Sequence, residues 1–106
     1  MAPSGAISFK LTEDAGPRFQ PDQATAKAGN VVIFLQNVLN VDAGPFNHNM
    51  AIGPKFHVPL ANSPIIHSER SAVFTVEGLT PGTYTFWCQV QDHATKGMVG
   101  TLTITP

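Results

Sequence analysis

Short stretches in which apolar and polar residues alternate limit the possible fold more than any other feature of this sequence. Ile7, Phe9 and Leu11 alternate with polar residues, and so do Phe74 and Val76. A period of two is typical of a strand with one buried face. Nine Gly and nine Pro add many turn signals and leave little room for long helices. The pattern predicts an all-β protein.

The middle of the chain is expected to contain one central strand, one short strand and an irregular excursion. Val31–Val38 is almost continuously apolar and β-branched, as in a central strand of a sheet. His48–Ile52 is predicted to be a short strand that turns His48 toward the interior. From Gly53 to Ser71 three prolines interrupt the pattern and block a long ladder or helix.

The last part of the chain predicts two strands that carry sulfur. In Thr83–Val90 the alternation places Cys88 on the core face, while Trp87 and Tyr84 are predicted to be packing residues. In the final strand Met98 is in phase with the apolar positions that follow it. Both sulfur atoms are therefore expected inside the protein.

Size and charge exclude several classes of protein. We expect residues 1–106 to form a single domain, a two-sheet β-sandwich of about seven or eight strands. Six basic and seven acidic residues give a net charge of −1 without a basic stripe, which argues against nucleic acid as a partner. No apolar run approaches the roughly 18 residues that a membrane span needs, so none is expected.

Three potential metal ligands follow one another between residues 88 and 98. The segment reads Cys-Gln-Val-Gln-Asp-His-Ala-Thr-Lys-Gly-Met, with four residues between Cys88 and His93 and four between His93 and Met98. A loop of this length can fold back and bring the three side chains together. Cys88 is the only cysteine, so sites that need two thiolates are excluded.

A fourth ligand must come from elsewhere, and His48 is the best candidate because it begins a predicted strand. His57 and His67 are open alternatives, but both lie in the proline-rich excursion, where we expect them to cap turns or face water. Two imidazoles, one thiolate and a weak thioether match the ligand set of electron-transferring copper sites. Structural zinc prefers four His or Cys ligands, and a thiol hydrolase needs an exposed cysteine.

Three motifs resemble the cupredoxins, the type 1 blue copper proteins of the plastocyanin and azurin type. They are Phe-Asn-His-Asn at 46–49, the lead-in 78–88 that ends in Phe-Trp-Cys, and the Cys-x4-His-x4-Met segment. The spacing between Cys88 and His93 is longer than the corresponding spacing in plastocyanin and closer to that in rusticyanin or auracyanin. The resemblance implies a Greek-key sandwich with one type 1 copper ion at one end, cycling between Cu(I) and Cu(II).

The resemblance also implies how such a protein works. Redox protein donors and acceptors are expected to dock where His93 emerges through an apolar patch of Pro45, Phe46, Ala94 and Gly97. The protein would be a monomeric electron carrier, not an enzyme, with a periplasmic or other extracytoplasmic location. Two alternatives stay open, namely copper delivery without redox turnover and an excised redox domain of a larger copper enzyme.

Two residues are predicted to support the ligands. Asn49 resembles the family residue whose backbone N–H bonds the thiolate and whose side chain ties the two ligand segments together. Residues 89–92 contain no proline, so a second backbone N–H, that of Val90, is available to reach the sulfur and raise the potential.

Overall fold

The computed structural model describes residues 6–12, 17–38, 47–67, 69–90 and 93–106. Within these residues the secondary structure is almost entirely β, as predicted, with one short 3-10 helix at Ala94–Lys96. None of the described helices is both long and apolar enough to cross a membrane. The described strands are β1 (Ile7–Thr12), β2 (Arg18–Gln20), β3 (Gln23–Lys27), β4 (Gly29–Asn37), β5 (Ala51–Gly53), β6 (Ala61–Asn62), β7 (Ser71–Leu79), β8 (Gly82–Trp87) and β9 (Val99–Thr105).

The strands form two sheets, which confirms the predicted two-sheet sandwich. One sheet has the order β2-β1-β4-β7, and the other has the order β3-β9-β8-β5-β6. The β1–β4 and β3–β9 pairs are parallel, and the other pairs are antiparallel. Strands β8 and β9 are neighbours, so their ends at Trp87 and Val99 lie side by side.

The core lies between the sheets and is built from the alternating residues. Phe9, Phe19 and Phe86 pack edge to face, with ring centroids 5.0–6.5 Å apart. Each large apolar side chain buried here contributes roughly 1.5–3 kcal/mol to folding. As predicted, the apolar positions of the last strand, Leu102 and Ile104, are buried.

Several predicted boundaries were wrong. The strand expected over Thr83–Val90 ends at Trp87: the Cys88 N–H still bonds the carbonyl of Met98, but the Val90 N–H turns back to Cys88 Sγ instead of pairing with β9. The strand expected over His48–Ile52 begins only at Ala51. The excursion from Gly53 to Ser71, expected to be irregular, contains the short strand β6.

Candidate metal centre

Cys88 lies one residue beyond β8, at the end of the sandwich. Its N–H donates to the carbonyl of Met98 at 3.1 Å, which continues the β8–β9 pairing by one step. The side chain is 2 % exposed, as the alternation predicts. The Val90 N–H donates to Cys88 Sγ at 3.4 Å, so the hydrogen bond predicted from the absence of proline is present. Hydrogen bonds of this kind disperse negative charge on a thiolate.

His93 directly precedes the 3-10 helix and is held by backbone hydrogen bonds to residues on both sides of it. Its N–H donates to the carbonyl of Val90 at 3.1 Å, and its own carbonyl accepts the N–H of Met98 at 3.0 Å. Gly97 ends the helix with a φ of 115°, a left-handed conformation that glycine adopts readily. The turn buries His93 and places its Nδ1 3.6 Å from Cys88 Sγ.

His48 reaches the same point from a distant segment. It forms a two-way backbone bridge with Ile66, with hydrogen bonds of 3.1 and 2.7 Å. The Asn37 side chain donates to the same Ile66 carbonyl at 2.8 Å and ties the bridge to the end of β4. His48 is 1 % exposed, and its ring centroid lies 4.9 Å from that of His93.

Three of the predicted ligands therefore converge. One nitrogen each from His48 and His93 and the sulfur of Cys88 all lie within 4.8 Å of one another, and all three residues are buried. Burial lowers the pKa of His48 to about 4, and the neighbouring His93 adds to the effect. At neutral pH the His48 imidazole is uncharged and keeps a lone pair for a metal. Two imidazoles and a thiolate fit a trigonal copper site.

Met98, the predicted weak ligand, is fully buried. Its N–H bonds the carbonyl of His93 and its carbonyl accepts the N–H of Cys88. The Met98 backbone is thus held between Cys88 and His93, the other two predicted ligands of the same segment.

The alternative histidines lie elsewhere. The ring of His57 packs on Phe56 with centroids 3.7 Å apart, and the Nδ1 of His67 lies 3.0 Å from Asn47 Oδ1. Neither belongs to the buried cluster of His48, Cys88 and His93. Of the expected docking patch, Ala94 and Gly97 lie in the turn beside His93. Pro45 and Phe46 lie outside the described residues.

Asn49 joins the two ligand segments, as predicted. Its Oδ1 accepts the Gln89 N–H at 2.7 Å, and its Nδ2 donates to Gln89 Oε1 at 2.9 Å. The residue after His48 is thereby connected to the residue after Cys88. The hydrogen bond predicted between the Asn49 backbone N–H and the thiolate stays a prediction.

Sequence reasoning missed three supporting residues. Asn37 is a buried amide at the end of an apolar strand. A polar residue in such an apolar segment was the sequence feature that could have indicated its role. The Ser63 hydroxyl accepts the Met50 N–H at 3.0 Å and holds the segment that follows His48. The Gln89 side chain bonds Asn49, although its polar position after a strand predicts only a solvent-exposed residue.

An aromatic cover on the outer face of β8 was also missed. Trp87 is 2 % exposed because Phe56 packs against it edge to face, with centroids 5.5 Å apart, and His57 lies nearby. These side chains, with Cys88 and Thr95, line an open cavity of about 380 Å³. Trp87 and Tyr84 are packing residues, as predicted, and Tyr84 also donates to the Thr80 carbonyl at 2.9 Å.

Comparison with known proteins agrees with this geometry. Residues 7–105 match the family model of copper binding proteins, plastocyanin/azurin family. Plastocyanin of Prochlorothrix hollandica is 31 % identical over 112 residues, covering 97 % of this chain and 77 % of the relative.

Solved structures share the fold. Auracyanin B superposes with a TM-score of 0.81 at 22 % identity, over 100 % of this chain and 92 % of that one. Auracyanin A of Chloroflexus aurantiacus, described as a "blue" copper protein, has a TM-score of 0.73 at 20 % identity. That match covers 94 % of this chain and 98 % of auracyanin A.

Proposed function

This chain belongs to the plastocyanin/azurin family of copper-binding proteins, and we propose that it carries single electrons between redox proteins. The observation that supports this most directly is the buried convergence of two imidazoles and one thiolate within 4.8 Å. Copper is the metal of the family, and one ion would supply a Cu(I)/Cu(II) couple.

We assign His48, Cys88, His93 and Met98 as the four copper ligands. The first three are supported by the distances among their ligand atoms. Met98 is supported by its complete burial and by the hydrogen bonds that hold its backbone between Cys88 and His93. A thioether donor suits the weak axial position of a trigonal site.

The protein contributes a rigid and dry environment for the change of charge. Burial of the four side chains keeps water from competing for the metal. Two-way pairing of His48 with Ile66 and the Asn49–Gln89 link restrict movement of the ligands. A site that moves little between oxidation states exchanges electrons quickly, which suits a carrier rather than an enzyme.

Partners are proposed to dock at the end of the molecule where His93 lies. His93 is 6 % exposed, and the next residues, Ala94 to Gly97, are half-buried or exposed. A donor or acceptor placed against this turn would approach the metal through the imidazole of His93. We further propose that residues 1–106 are one domain, a monomer, and that it works outside the cytoplasm.

The first test is copper addition followed by optical and electrochemical measurement. Copper(II) should produce an intense blue or green thiolate-to-copper band, and voltammetry should show a reversible one-electron couple. Cys88→Ser should abolish the band, because a hydroxyl cannot replace the thiolate in this role.

A matched pair of histidine variants tests the ligand assignment. His48→Ala should weaken copper binding by more than the roughly 10–100-fold that loss of an outer supporting residue causes. His57→Ala should bind copper like the wild type. Copper binding without reversible reduction would favour delivery over electron transfer, and equal behaviour of the two variants would overturn the ligand set.

A further inference from the structure

Three side-chain amides connect the turn after Cys88 with two other segments at the metal end. Gln89 bonds Asn49 twice, through its backbone N–H and through its side-chain oxygen. The same oxygen, Oε1, also accepts Asn62 Nδ2 at 3.3 Å. Gln89 is therefore attached both to the residue that follows His48 and to the edge strand β6.

The backbone determines which way each amide points. The Gln89 N–H can only donate, so the atom of Asn49 that faces it at 2.7 Å must be the oxygen. Asn49 Nδ2 then faces the Gln89 side chain and requires an acceptor there. With Oε1 in that position, the Asn62 amide must approach through its nitrogen. All three orientations follow from one peptide N–H.

This network bears on the metal because of where Gln89 stands in the chain. It separates Cys88 from Val90, whose N–H donates to Cys88 Sγ at 3.4 Å. Holding residue 89 at both its backbone and its side chain limits how far the Val90 N–H can move from the sulfur. An N–H that bonds the thiolate withdraws electron density from it and favours the reduced metal.

Asn62 is well placed to support Gln89 although it lies 27 residues away in the sequence. Strand β6 contains only two residues and pairs with β5, with Asn62 opposite Ala51. Ala51 in turn pairs with Trp87, the residue before Cys88. The pairing therefore brings the Asn62 side chain to the same edge as the turn after Cys88.

We propose that Gln89 is a positioning residue for the copper thiolate and that Asn62 supports it. Together they keep the Val90 N–H on the sulfur and so raise the reduction potential. The inference rests on the proposed function, because it assigns a role in the same copper centre. It adds two exposed polar residues, neither of which contacts the metal, to those that determine the potential.

The main test compares the potentials of matched alanine variants. Gln89→Ala should lower the ratio of Cu(I) to Cu(II) affinity about fourfold, which is about 35 mV at 59 mV per tenfold change. Gln36→Ala is the control, since Gln36 is an exposed glutamine on β4 of the other sheet. It should leave the potential unchanged.

A second pair isolates the contribution of Asn62. Asn62→Ala should lower the same ratio about twofold, or about 18 mV, because Gln89 keeps its two bonds to Asn49. Asn30→Ala is the control, since Asn30 is also an exposed asparagine and accepts the Gly78 N–H at 3.0 Å. When Gln89 is already alanine, adding Asn62→Ala should not change the reduction potential further, because the Gln89 side chain that Asn62 bonds is gone.

Amide hydrogen exchange of the copper-free protein gives a readout that does not depend on the metal. Exchange at Val90 should accelerate about fivefold in Gln89→Ala relative to Gln36→Ala, the loss expected for roughly one hydrogen bond. Gln89→Glu should restore slow exchange, because a carboxylate also accepts from both asparagine amides.

The outcomes separate this inference from the proposed function. Unchanged potential and unchanged Val90 exchange in Gln89→Ala would overturn the inference while the wild-type couple still supports electron transfer. A wild-type protein without a reversible couple would overturn the proposed function. In that case, faster amide exchange at Val90 in Gln89→Ala and restored slow exchange in Gln89→Glu would still show that Gln89 positions the turn. Unchanged exchange in Gln89→Ala would show that it does not.

Discussion

His93 and His48 meet at the metal end, but hydrogen bonds over very different sequence distances hold them there. The backbone of His93 is bonded to Val90, Lys96 and Met98, all within five residues of it. His48 depends on Ile66, which lies 18 residues later, and on Asn37, which reaches Ile66 across 29 residues. One nitrogen is therefore positioned by a local turn and the other by the assembled sandwich.

Because of this difference, we expect substitutions in the two regions to affect the metal centre and the stability of the sandwich in different ways. Changes in the ligand segment 88–98 should alter the metal centre directly and lower the free energy of unfolding less than changes around His48. Changes around His48 should weaken the sandwich and the centre together, because the same contacts serve both. Asn49 links the two regions and should show a mixture of the two effects.

The largest effect is expected at Asn37, on the side that depends on the sandwich. Asn37→Ala removes a buried amide that bonds the Ile66 carbonyl, so the free energy of unfolding should fall by about 2 kcal/mol. Denaturant unfolding of the copper-free protein measures this change, with Asn30→Ala as the control. Copper affinity should fall as well, because Ile66 pairs with His48. If Asn37→Ala lowered the free energy of unfolding by less than about 0.5 kcal/mol, the proposed contrast between the two regions would be wrong.

An intermediate effect is expected at Gly97, within the local turn. Gly97→Ala forces a side chain into left-handed backbone at a φ of 115°, which costs about 1–2 kcal/mol. Gly29→Ala is a close control, since Gly29 has a φ of 117° and nothing lies within 4 Å of an added Cβ. The two variants should lose similar stability, but only Gly97→Ala should alter the visible spectrum of the copper protein. If copper-loaded Gly97→Ala and Gly29→Ala had the same visible spectrum, the turn at Gly97 would not control the positions of the ligands.

The smallest effect on stability is expected at Asn49, the link between the regions. Asn49→Ala should lower the free energy of unfolding by about 1 kcal/mol and should also lower the reduction potential. The physical reason is that the turn after Cys88 loses its connection to the residue after His48. Voltammetry and the visible spectrum measure the change. The same potential and spectrum as the wild type would contradict the proposed role.

The alternating pattern and the spacing of Cys88, His93 and Met98 were sufficient to predict the sandwich and the ligand segment. Both depend on short-range geometry, since a strand has a period of two and the ligand turn closes within a few residues. His48 was preferred to His57 and His67 because it begins a predicted strand, but the strand starts only at Ala51 and His48 lies outside it. Its position follows from a bridge to Ile66 that no local pattern indicates.

By itself, the sequence determined that the chain is a β-sandwich with a thiol, imidazoles and a thioether available for one metal. Asn49 was predicted as their support, but only the tertiary structure decided the other polar residues: Asn37 at Ile66, Ser63 at Met50, and Gln89 and Asn62 beside Asn49. Apart from the bond between Ser63 and Met50, these hydrogen bonds join residues that are 27 or more positions apart in the sequence. Side-chain hydrogen bonds over such distances leave no periodic signal, because they exist only once the two sheets and their end loops have come together.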